Sequence, residues 1–172
     1  PLLDQDREGL SFGVEVTYNT DLWTAEVGYV SASGDSDPTD DKYEVGNAAY
    51  DGIGYDWDKF VIFSDADCLL NDYTAYSGVK QRGVDLMYAG FSFLPTDNLK
   101  VWANIGSAAV NTQQTGYAGD DYGMEFDINA SLKVMDNLTY TVRAGYLDAG
   151  DAWKDINTLT NVDSTYTVYH KL

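Results

Sequence analysis

The chain has 172 residues, 44% of them hydrophobic, which suits one core-forming domain and excludes wholesale disorder. Its 28 acidic and 10 basic residues leave a formal charge of -18, a field that repels nucleic acid and favours cations. The single cysteine, Cys68, excludes an internal disulfide, and the lack of any run of about 18 apolar residues excludes a transmembrane helix.

No signal-peptide pattern opens the chain, and Pro1 to Asp6 reads as the interior of a processed or longer product. Period-two alternation begins at Leu10. Leu10, Phe12, Val14, Val16 and Tyr18 oppose Ser11, Gly13, Glu15 and Thr17. An Asn19-Thr20-Asp21 turn leads to a strand with Trp23, Ala25, Val27 and Tyr29 on one face and Thr24, Glu26 and Gly28 on the other. The stretch 33–80 then reads as a long connection. Its middle, Tyr55 to Phe63, is too apolar to stay in water, and Lys59 to Phe63 is a candidate for a further strand.

A second hairpin is predicted from Gly83 to Leu94 and from Leu99 to Ser107, joined by Pro95 to Asn98. With Asp85 facing water, Val84, Leu86, Tyr88, Gly90, Ser92 and Leu94 fall on the apolar side. The return strand places Leu99, Val101, Ala103 and Ile105 there, with Lys100, Trp102, Asn104 and Gly106 opposite. The cleanest alternation runs from Tyr122 to Val134, with Glu125, Asp127 and Lys133 on the polar side. After a Met135-Asp136-Asn137 turn it continues from Leu138 to about Asp148, with Arg143 on the polar side. A last strand covers about Asp163 to Leu172.

Short connections (19–21, 95–98, 135–137) alternate with long ones (33–80, 108–120, 149–162), which gathers the short turns at one end of the sheet. The strands reach the roughly 9–11 residues of a tilted membrane-spanning strand, and tyrosines and tryptophans gather near strand ends, as in interfacial girdles. The fold class expected is therefore all-β, an antiparallel transmembrane β-barrel. Seven strands are counted where an even number is usual, so the chain is expected to be part of a larger barrel: one domain over 1–172, with 33–80 as an external or constriction loop.

Tyr29-Val30-Ser31-Ala32-Ser33-Gly34-Asp35 resembles a strand end entering an external loop. Asp136-Asn137-Leu138-Thr139-Tyr140 resembles a periplasmic turn with the strand that leaves it, and Asp163 to Leu172 resembles a closing strand. On these stretches the chain resembles the C-terminal part of Gram-negative outer-membrane porins, including OprD-like and alginate-export-like barrels. The resemblance implies an outer-membrane location, lipid contact, passage of small hydrophilic solutes and often a homotrimer. It departs from that family in ending on Leu172 rather than on an aromatic residue.

On this reading the lumen is lined by Glu15, Glu26, Asp85, Lys100, Glu125, Asp127, Lys133 and Arg143, a mainly acidic set that predicts modest cation preference. Asp56, Asp58, Phe60 and Phe63 are the constriction-loop candidates. Acid-rich turns suggest weak calcium binding, chiefly at Asp35, Asp37 and Asp40, with Asp41, the Asp65/Asp67 pair and the Asp148/Asp151 pair as lesser candidates; none matches a full EF-hand loop. No cofactor and no enzymatic activity are expected. His170 is the only histidine, and neither a nucleophile elbow nor a phosphate-binding loop is present. The competing reading is a soluble or cell-surface β-sandwich that binds carbohydrate or acts as an adhesin, through Trp57, Trp102 or Trp153.

Overall fold

The computed structural model describes residues 6–37, 39–46, 59–63, 82–157 and 163–172. Its long strands are β2 (Ser11–Asn19), β3 (Trp23–Ala32), β5 (Val84–Thr96), β6 (Leu99–Ala109), β7 (Asp121–Met135), β8 (Leu138–Ala149) and β9 (Thr165–Lys171). They are rich in β-branched and aromatic residues that suit a pleated surface. Two short strands, β1 (Asp6–Arg7) and β4 (Lys42–Tyr43), form a separate parallel pair, and the helix α1 (Ala152–Asn157) follows β8. Tight turns fix the hairpin registers. In the first, the Thr20 hydroxyl accepts the Trp23 N–H at 3.0 Å and donates to the Trp23 carbonyl at 2.9 Å.

The long strands form one antiparallel sheet in the order β2-β3-β5-β6-β7-β8-β9. Paired registers define its two faces. On the outer face Val16, Val27, Ala89, Ile105, Phe126, Tyr146 and Tyr166 lie in one row, and most of their large side chains are exposed. Contiguous apolar faces of this extent are rare on monomeric soluble proteins. On the inner face Glu15, Gly28, Tyr88, Gly106, Glu125 and Leu147 form one row and Thr17, Glu26, Gly90, Asn104, Asp127 and Gly145 the next.

The core sits on the inner face, towards the end where the long connections leave. Phe60 and Phe63 pack there with Val30, Val84, Leu86, Tyr88 and Leu147, and Trp153 of α1 closes the cluster. The Trp153 Nε1–H donates to the Tyr122 carbonyl at 2.6 Å, and the two rings lie 5.2 Å apart. Lys59 to Phe63 therefore covers the sheet and is not a further strand of it.

These findings correct the barrel expectation. A transmembrane barrel joins its last strand to its first, because lipid leaves no partner for a free edge. Here β2 pairs only with β3 and β9 only with β8, so the row is open among the described residues. Nor is the inner face a wall wetted by a lumen, since Glu125, Asp127, Asn129 and Arg143 are buried on it. The resemblance to outer-membrane porins, the solute channel with its cation preference, the transport role, the outer-membrane location, the lipid partner and the homotrimer all required closure, and they fall with it. The chain is instead a mostly antiparallel β-sheet domain of two sheets with one packed face. No helix among the described residues is long and apolar enough to cross a membrane.

Two side-chain phases also differ from the sequence reading. In β5 the outward set is Met87, Phe91 and Phe93, while Val84, Leu86 and Tyr88 are buried inside. Asp85 lies outward at the rim because it is satisfied there: the Tyr29 hydroxyl donates to it at 2.7 Å, and the Asn111 amide also reaches it. In β7 a bulge breaks the alternation. Ala108 pairs with Gly123 but Ala109 with Asp121, so Tyr122 is the extra residue, and its ring enters the core.

Gly123 makes this bulge possible with a φ of +109°, and a Cβ there would strike the Asp148 carbonyl. Gly123→Ala is expected to lower stability by about 1–3 kcal/mol. Urea unfolding with far-ultraviolet circular dichroism measures this, and an unchanged midpoint would refute the strained-glycine account.

Candidate functional site

The inner face gathers most of the polar residues singled out by the alternation, through the segment 59–63 that crosses it. Glycines make room for that segment. A Cβ on Gly106 would run into the Phe60 ring, and one on Gly145 would lie 2.9 Å from the Val61 Cβ and 2.7 Å from Asp127 Oδ1. Gly28 and Gly90 leave similar room for Tyr88 and for Glu26 with Asn104.

Lys59 is clamped between two strands. Its Nζ lies 2.7 Å from Glu15 of β2 and 2.8 Å from Glu26 of β3, and 5.1 Å above the Tyr88 ring. The Tyr88 hydroxyl donates to Glu15 Oε2 at 2.5 Å. Burial alone would lower the pKa of Lys59, but the hydrogen bonds and charges of Glu15 and Glu26 outweigh it and raise the value. Burial works the other way on Glu15, where Lys59 and Tyr88 prevail and its pKa is lowered. The Lys59 carbonyl in turn accepts from the Asn104 Nδ2 at 2.5 Å and from the Arg143 guanidinium at 3.5 Å.

Further along, the segment's backbone meets a carboxyl pair on β7. Glu125 Oε1 accepts the N–H groups of Val61 (2.9 Å) and Ile62 (2.6 Å), and its Oε2 accepts that of Phe63 (2.6 Å). Asp127 Oδ2 accepts a share of the Val61 N–H at 3.0 Å. Burial raises the pKa of both acids, and with the Glu125 charge beside it Asp127 is pushed up to about 8.

Beside Lys59 a cleft of about 240 Å³ opens on the inner face, lined among others by Thr24, Glu26, Lys59, Ser92, Lys100, Trp102 and Asn104. The Trp102 indole is half-buried, and the Lys100 ammonium sits 5.4 Å from its ring centroid. The cleft thus joins one aromatic face to charged groups, hydroxyls and an amide.

Of the sequence candidates, Glu15, Glu26, Lys100, Glu125, Asp127 and Arg143 share this face. Asp85 lies on the opposite one, and Lys133 is at the β7–β8 turn with its Nζ 3.0 Å from Asp136. Phe60 and Phe63 are core residues and constrict no channel, while Asp56, Asp58 and Trp57 fall outside the described residues. Trp153 is buried in the core, and His170 packs near Tyr140, 5.8 Å between centroids.

The acids considered for calcium serve their own loop. Asp35 accepts the Asp37 N–H at 3.1 Å, Asp37 accepts from both the backbone and hydroxyl of Thr39, and Asp40 accepts the Lys42 N–H at 2.8 Å. Asp151 likewise accepts backbone N–H groups of Asp120 and Asp121. Asp65 and Asp67 fall outside the described residues, and among those described no group of three or more His, Cys, Asp or Glu is placed to hold a metal ion.

Thr24, Ser92 and Asn104 were missed as site residues. Their signal lay in the glycines: Gly28, Gly90, Gly106 and Gly145 occupy inward positions on β3, β5, β6 and β8, marking a floor kept low for something laid across it. Comparisons with protein-family models, with curated proteins and with solved structures find no match.

Proposed function

We propose that the chain is a binding module that takes a small, polyhydroxylated ligand of the carbohydrate class in the inner-face cleft, without chemical turnover. One observation carries this reading: the half-buried Trp102 ring forms a wall of the cleft alongside Thr24, Glu26, Ser92, Lys100 and Asn104. Sugar rings present an apolar C–H face and a rim of hydroxyls. An aromatic plane ringed by donors and acceptors suits both. The way the nearby acids are used supports binding over catalysis. Glu15 and Glu26 hold Lys59, and Glu125 and Asp127 hold backbone amides.

The test is titration with neutral oligosaccharides of glucose, galactose and mannose, followed by calorimetry and tryptophan fluorescence. Trp102→Ala is expected to weaken binding at least about tenfold, the effect of some 1.4 kcal/mol, with an unchanged circular dichroism spectrum. Absence of binding to all of these sugars, or equal affinity in the variant, rejects the reading.

A further inference from the structure

We propose that Glu125 and Asp127 act as a proton-linked latch: one proton shared by the pair keeps residues 59–63 seated on the sheet, and its loss releases that segment together with the Lys59 wall of the cleft. As far as the ligand is concerned, this rests on the preceding reading; the latch itself does not.

The geometry supplies the argument. Both acids are fully buried, two residues apart on one face of β7. Glu125 spends both oxygens on three consecutive backbone N–H groups, and Asp127 spends only Oδ2. Asp127 Oδ1 is buried with no donor, and it crowds with Glu125 Oε1 over the same glycine, Gly145. A proton on Asp127, donated to Glu125, gives that oxygen a partner and removes one of two like charges from a dry site.

Among the described residues, the other charged or titratable groups near the pair also serve other partners. Arg143 on β8 donates to Asn129 and to the Lys59 carbonyl, and Lys59 answers Glu15 on β2 and Glu26 on β3. Tyr88 on β5 is bound to Glu15. Burial and the Glu125 charge outweigh the downward pull of the Arg143 charge on the Asp127 value, so a second carboxylate is left incompletely compensated.

The direction of the pH effect follows from the titration range. The ordinary Asp127 value is 3.8 and the seated value is about 8, so between them the seated state holds a proton that the released state has lost. Seating is strongest below the lower value and weakens as pH rises through this window, by at most tenfold per pH unit for one proton. Above about 8 the loss is complete.

Hydrogen exchange at the amides of Val61, Ile62 and Phe63, corrected for intrinsic rates, reads the latch directly between pH 5 and 9. In the wild type the opening equilibrium is expected to rise by up to tenfold per unit and then level off near pH 8. Asp127→Asn keeps a neutral donor towards Glu125 and is expected to hold protection flat across the range. A flat wild-type profile overturns the latch by itself, as does a parallel loss of protection in Asp127→Asn. Should the amides switch while oligosaccharides fail to bind at any pH, the latch stands and the carbohydrate reading falls.

Discussion

Phe60→Ala is expected to lower the unfolding free energy by about 3–5 kcal/mol, among the largest effects for any single side chain in this molecule. The Phe60 ring is only 1% exposed. Its centroid lies 6.0 Å from that of Phe63 and 6.3 Å from that of Tyr88, both edge-on, and Gly106 is a glycine because the ring occupies the space above it. Truncation leaves a void between the crossing segment and the sheet, one that the pleated floor cannot collapse to fill. A phenylalanine in a wetted constriction would behave otherwise, since surface substitutions fall within about 0.5 kcal/mol. Urea unfolding separates these outcomes, and a midpoint equal to that of the wild type would remove Phe60 from the core.

Glu125→Ala should rank next. The carboxylate serves three backbone donors, and Asp127 can keep only its share of the Val61 N–H. The Ile62 and Phe63 donors are left without that partner, each at a cost of about 1–3 kcal/mol. The combined loss is therefore about 2–6 kcal/mol, read by urea unfolding near pH 6. Glu125→Gln retains one acceptor oxygen and should lose clearly less. If the alanine and glutamine variants were equally stable, the carboxylate would not be what anchors the segment. With the Glu125 charge gone, Asp127 also loses one of the causes that lift its pKa, so stability should vary less with pH.

The strands were legible in the sequence because alternation is a local property, and β2, β6 and β8 show it without interruption. What covers each face was not legible. Apolar alternation reports that one side avoids water, and it is silent on whether the polar side meets water or a folded-back segment. Glu125 and Asp127 looked like wetted acids, yet residues 61–63, more than sixty positions away in sequence, bury them. Asp85 misled the phasing of β5 because its satisfying partners, Tyr29 and Asn111, come from other parts of the chain. Tyr122 was misplaced because a bulge shifts the period by one residue, and Gly123 was the only local sign of it. Of the site, the charged residues were visible by type, but the Trp102 cleft depends on which strands become neighbours.

The separations bridged by the segment 59–63 bear on the order of assembly. Hairpins such as β7–β8 close across a few residues, whereas the bonds from this segment span 45 residues to Asn104, 66 to Asp127 and 84 to Arg143. Closing long loops costs entropy before any contact repays it, which slows folding in chains dominated by such contacts. The meander should zip together first from its turns, and the clasp across it should close late. Phe60→Ala and Glu125→Ala would then steepen the descent out of the native state while leaving the climb into it at nearly its original speed.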